Sequence, residues 1–167
     1  MYDFFVKLLG AGISSIIFFL PVKVNYQDNI IAIETQLNNP VTEEIGRLVE
    51  SGFVFGLEYY VSIIVNDSIT FNQKTIKQLS FRNEKWCIND SVIAFDQIQQ
   101  KLGDLAVSFP GIYLNQDDCI LIFVKATILP DSEFKNSVGL STRILWNHYV
   151  PKQKRIIYYK EGELIPE

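Results

Sequence analysis

Between Phe53 and Val65 the chain sets Phe53, Phe55, Leu57, Tyr59, Val61, Ile63 and Val65 on alternate positions. Only extended backbone puts residues two apart on one side, so this row predicts a strand facing an interior, and a second apolar layer must cover it. The intervening Val54, Gly56, Glu58, Tyr60, Ser62 and Ile64 are mixed, as on a sheet face partly open to water. Asn66, Asp67 and Ser68 supply a turn. Residues 69–81 then return with weaker alternation, which predicts a strand near an edge.

Weaker versions of this signal recur along the chain. Residues 29–37 predict a first strand, and Asn39-Pro40 predicts a short helix with proline in its first turn. In that helix Val41, Ile45, Leu48 and Val49 share one face, Glu43, Glu44, Arg47 and Glu50 cover the other, and Gly52 ends it. A turn at Arg82–Lys85 leads to short strands at Trp86–Ile88 and Ser91–Phe95. Asp96 with Gln99 predicts a capping pair, opening a second helix with Ile98, Leu102, Leu105 and Ala106 on one face. Phe109–Leu114 is extended. Cys119–Leu129 is apolar on both sides and so central; Leu140, Thr142, Ile144 and Trp146 mark a later strand. Ile156–Tyr159 marks the last, after a turn at 151–154. Frequent strands, turn clusters and few helices predict a mainly β fold: an antiparallel β-sandwich of Ig-like or C2-like architecture with two short helices. A doubly wound sheet would need more helices.

The N-terminus carries a different signal. Lys7 precedes an uncharged run from Leu8 to Val22. A basic head and an apolar stretch are two of the three parts of an export signal; the third, a small-residue cleavage site, is poor here. The run contains Gly10, Gly12, Ser14, Ser15 and Pro21 and is short for a spanning helix, which needs about 20 apolar residues. Residues 1–24 are therefore expected to be a signal peptide or membrane anchor, 25–160 a single β-sandwich domain and 161–167 a polar tail. Lys7 is the only basic residue before Lys23, which fits a periplasmic protein, or one anchored in the inner membrane and facing the periplasm.

Composition narrows the functions. With 48% hydrophobic and 13% aromatic residues, the chain can bury a core without metal or disulfide support. A formal net charge of −4 gives no footprint for nucleic acid. The one basic cluster, Lys152 to Arg155, is expected to be a solvated turn. Cys87 and Cys119 belong to no Cys-x-x-Cys or Cys/His set, which excludes zinc and leaves a single bridge between them open.

No catalytic constellation emerges. His148 is the only histidine, and no nucleophile elbow or phosphate-cradling glycine loop is present. Asp117 and Asp118 lack the further oxygen ligands of a calcium loop. Asn66 and Asn89 each begin an Asn-Asp-Ser triplet that formally matches a glycosylation acceptor but also makes an ordinary turn. Glu58 and Asp96 are isolated acids with structural explanations. Catalytic, cofactor-binding and metal residues are accordingly expected to be none. Tyr60, Tyr113, Tyr149 and one of Tyr158 and Tyr159 are candidates for an outer aromatic face.

The order of motifs has a parallel. The apolar start, the stretch from Leu37 to Ile45, the segment Val49–Glu58, the Lys85-Trp86 pair, the helix at Phe95–Leu105 and the run from Leu145 to Tyr149 resemble a family of exported bacterial proteins known only as a domain of unknown function, over residues 29–159. The resemblance implies a cell-envelope location and carries no functional residue onto this chain. The expected function is a non-catalytic envelope module for binding or assembly, acting through protein–protein contacts, with an envelope protein as partner and with the membrane contacted through residues 8–22 if these are uncleaved. The alternative is a periplasmic carrier of an apolar ligand such as a lipid chain, raised by the doubly apolar strand at 119–129.

Overall fold

A computed structural model describes residues 16–129 and 150–167. In chain order these form β1 (Phe18–Phe19), β2 (Lys23–Gln27), β3 (Ile30–Asn38), helix α1 (Glu43–Glu50), β4 (Phe55–Val65), β5 (Ile69–Arg82), β6 (Lys85–Ile88) and β7 (Ser91–Ile93). A 3-10 turn at Phe95–Gln97, helix α2 (Ile98–Gly103), β8 (Asp104–Pro110), β9 (Cys119–Leu129), β10 (Lys152–Lys160) and β11 (Glu163–Pro166) follow. The fold is mainly β, antiparallel in its described pairings, with two short helices.

The larger sheet runs β11-β10-β9-β4-β5-β6-β7. Its centre is the pair predicted from alternation: Leu57, Tyr59, Val61, Ile63 and Val65 of β4 lie beside Ile120, Ile122, Val124 and Ala126 of β9, all buried. The smaller sheet is built on β3, with β8 on one side and β1 and β2 on the other. Its inward residues Ile31, Ile33, Leu37, Leu105, Val107 and Phe109 join the same apolar core. Two sheets thus enclose one interior, as in a sandwich.

Paired left-handed turn residues set the hairpins. Asp28-Asn29, Asn83-Glu84, Asn89-Asp90 and Glu161-Gly162 all have positive φ and join strands directly opposed in register. Two-residue turns of this kind match the twist of the strands they connect, and Asn, Asp and Gly tolerate them best. Beyond Leu79 toward its N-terminus, β5 has no described partner on the side away from β4, in line with the edge expected there.

Several boundaries differ from expectation. Residues 16–24, assigned to a leader, are folded in: Ile17, Phe19 and Val22 are buried, and Phe19 packs on Tyr59 at 6.2 Å between ring centroids. The pairing register with β3 advances by one residue between β1 and β2, so Leu20–Val22 form a bulge at Pro21. The bulge moves the inward positions from Ile17 and Phe19 to Val22, Val24 and Tyr26, which hides the alternation from a fixed two-residue period. The folded body therefore begins before residue 25. At the other end, the expected polar tail contains β11, paired with β10.

The second helix is also shorter than its periodicity implied. Leu105 and Ala106 belong to β8, because Gly103 brings the chain against β3: a Cβ there would stand 2.2 Å from the Leu37 carbonyl oxygen. Asp96 makes no cap hydrogen bond, since the 3-10 turn opens at Ala94 without one. Residues 152–155 start β10 and are not a turn, and the expected strand at Leu140–Trp146 lies outside the described residues.

Candidate functional site

Where the helices meet the sheets, the interior is only partly closed. Helix α1 is capped at Thr42, whose hydroxyl accepts from the Ile45 N–H, and it buries Ile45 and Val49. Across from it, α2 buries Ile98 and Leu102, while the 3-10 turn before it buries none of its residues. Between them runs an open groove of about 440 Å³ lined by Val41, Gly46, Trp86, Phe95 and Ile98, with Glu43, Arg47, Glu50 and Asp96 among its charged neighbours.

The groove's lower edge is fixed by Gln99. Its side-chain nitrogen donates to the Val41 carbonyl at 2.7 Å, and its side-chain oxygen accepts from the Val41 N–H at 3.3 Å. This amide lies in the expected capping pair but fastens α2 to the approach of α1 instead. Aromatic rings lead outward from the core: Phe81 and Trp86 are 5.2 Å apart, Trp86 and Phe95 5.8 Å. Trp86 is buried, whereas Phe95 is 71% exposed.

Gly46 faces open space, with nothing within 4 Å of a Cβ placed on it. Glycine inside a helix costs roughly 0.5–1 kcal/mol relative to alanine, and no close approach demands it here. An exposed phenylalanine and a bare helix surface thus share one groove.

At the far end of α2 lies a polar joint, buried at Tyr59 and half-buried at Lys77, that sequence reasoning missed. The Tyr59 hydroxyl donates to the Leu102 carbonyl at 2.8 Å and the Gly103 carbonyl at 3.2 Å. Burial, and secondarily Asp104, hold the Tyr59 proton far above the ordinary phenol range. The Lys77 ammonium donates to the carbonyls of Lys101, at 2.7 Å, and Asp104. Burial lowers the Lys77 pKa, Asp104 opposes that shift and Lys101 adds to it. These groups satisfy carbonyls at the end of α2 and present no nucleophile to a substrate. Only the register of β4 and β5 against α2 reveals them; Tyr59 and Lys77 read singly as ordinary strand residues.

The other candidates are dispersed. Glu58 pairs with Lys74 at 3.3 Å, and Asp96, on the groove rim, makes no ion pair among the described residues. Asp118 is buried and structural: its carboxylate accepts from the Asn66 side chain and the Asn115 N–H, both at 2.7 Å. Asn66 also accepts from the Cys119 N–H, and Asn89 accepts from the Gln78 N–H, so both side chains at the possible glycosylation positions are engaged. Cys87 and Cys119 are free and lie on strands separated by β4 and β5. Among the described residues no group of acids, cysteines and histidines could hold a metal, and no helix is long and apolar enough to cross a membrane.

Of the candidate tyrosines, Tyr60 and Tyr158 share the outer face of the large sheet, and Tyr113 does not belong to it. Tyr60 points outward and donates to the Asn72 side chain at 2.6 Å. Tyr113 is 75% exposed on a loop, Tyr158 lies outward beneath Lys160, and Tyr159 turns inward against Tyr26. His148 and Tyr149 lie outside the described residues. The aromatic surface that does assemble uses Trp86 and Phe95; Phe95 next to Asp96, where strand alternation stops, is its only signal in the sequence. Comparison with known protein families, curated proteins and solved structures finds no match for this chain.

Proposed function

We propose that this protein is a non-catalytic binding or assembly module of the bacterial envelope whose α1–α2 groove receives a segment of a protein partner. The observation that carries the reading is Phe95, left 71% exposed across a groove from an unhindered Gly46. Phenylalanine beside a pre-formed apolar cleft is the usual makeup of an interface anchor. Glu43, Glu50 and Asp96 outnumber Arg47 around it, so the fitting segment has large apolar side chains flanked by basic residues.

The envelope location rests on the apolar N-terminal run and on the resemblance to exported bacterial proteins of unknown function. Within this proposal the sandwich is an Ig-like or C2-like scaffold, an architecture that commonly presents binding surfaces while its layers stay fixed. Residues 16–24 remain with the domain, and any targeting element lies upstream of the sheet.

Photo-crosslinking in cells tests the reading. A crosslinking residue at position 95 is expected to capture one envelope protein reproducibly, whereas the same residue at exposed position 113 does not. Recovery of position-95 adducts only with cytosolic proteins, or equal adducts from both positions, would refute it.

A further inference from the structure

The outer face of the large sheet carries a charge that opposes that of the whole chain. On β5, β4, β9 and β10 the positions opposite the buried rows include Lys74, Lys125, Lys152 and Lys154 with Glu58 as the one acid, while Lys160 at the end of β10 lies opposite Glu163 of β11. The complete chain has 19 acidic and 15 basic residues, so this distribution is strongly one-sided. The small sheet's outer face differs, with Glu34 and Asp104 against Lys23.

Register brings the lysines together. Tyr60 lies between Lys74 on β5 and Lys125 on β9, and Lys125 lies beside Lys152 on β10; one step along, Phe123 lies beside Lys154. With strands about 4.8 Å apart and same-face neighbours about 6.8 Å apart, Lys74, Lys125, Lys152 and Lys154 fall within a block about 15 Å wide. Lys152 and Lys154 are exposed, and the Lys74 side chain is 62% exposed. Glu58 balances only Lys74; among the described residues Lys125, Lys152 and Lys154 make no ion pair. Like charges this close lie within the screening length of about 8–10 Å, and a surface of opposite charge relieves their repulsion.

We infer that this face docks on the anionic headgroups of a lipid bilayer. The block is a sheet surface bearing flexible ammonium groups around Tyr60 and Phe123, without the planar arginine fork that would fix a single phosphate. That arrangement suits a fluid array of lipid phosphates, to which each basic residue adds independently. The whole chain is acidic, with a net charge of −4, so the surfaces away from this face repel the same bilayer and orient the molecule. The inference is separate from the groove, which lies at the helical end of the molecule.

The test is co-sedimentation of the full chain with vesicles of phosphatidylcholine alone and of phosphatidylcholine mixed equally with phosphatidylglycerol. Each lysine near an anionic surface is worth roughly fivefold in affinity, so K152A/K154A is expected to bind the mixed vesicles about 30-fold more weakly. Binding to neutral vesicles, which present no net anionic charge to the lysines, stays unchanged. K23A/K101A removes equal charge from other faces and is expected to change binding less than about twofold. Circular dichroism confirms that both variants are folded. No preference of the wild-type protein for anionic vesicles, equal losses in the two variants, or binding to a single-stranded oligonucleotide in place of vesicles would overturn the inference.

Discussion

The β4–β9 centre and the α1–α2 end use apolar residues to opposite purposes. At the centre every inward side chain from Leu57 to Val65 is buried, and Tyr59, the bulkiest, has its hydroxyl tied to α2. At the helical end Trp86 is buried, but Phe95 next to it remains in water and Gly46 leaves its side of the groove unfilled. The contrast separates residues that hold the fold from residues the fold does not need, and the latter are where function is to be sought.

Variants can break or sharpen this contrast. Removing residues 1–22 is expected to have the largest effect, because Ile17, Phe19 and Val22 leave the core, at roughly 1.5–3 kcal/mol each. Their sum rivals the whole stability of a typical domain, so the truncated chain should lose its cooperative unfolding transition in urea. A truncated chain that unfolds with the full-length midpoint would show that the centre does not depend on β1.

Ile63→Ala should cost about 2–5 kcal/mol in denaturant titration, since a fully buried strand residue leaves a cavity. Tyr59→Phe keeps the ring but leaves the α2 carbonyls short of a donor, for an expected loss of about 1–3 kcal/mol. Gly46→Ala should act in the opposite direction, raising stability by about 0.5–1 kcal/mol while narrowing the groove and weakening partner capture. Phe95→Ala, the smallest perturbation, should shift stability by less than about 0.5 kcal/mol. A loss at Phe95 as large as that at Ile63 would erase the distinction between the regions.

The same contrast governs what could be read from the sequence. β4 and β9 were legible because long runs kept one inward period over their whole length, and the Asn- and Asp-rich turns marked hairpin ends. β1 and β2 were hidden by the Pro21 bulge, which changes inward parity partway along an apolar run that also resembles a leader. Leu105 fits either a helical face or a strand row, and only the approach of Gly103 to Leu37 decides between them.

Surface features were harder still to read. The groove joins Val41, Gly46, Trp86 and Phe95, and the basic face joins Lys74, Lys125 and Lys152; both depend on tertiary placement and register rather than on proximity in the chain. A basic cluster at 152–155 was visible in sequence, but its division was not. Lys152 and Lys154 face outward, while Arg155 donates inward to the Val22 carbonyl.

The most direct test of the central claim measures partner retention and unfolding midpoint together for wild-type and Phe95→Ala proteins. Loss of the crosslinked envelope partner at an unchanged midpoint is the predicted result. Undiminished retention, or retention and midpoint falling in step, would mean that Phe95 serves the fold or nothing at all, and the groove would cease to be a binding site.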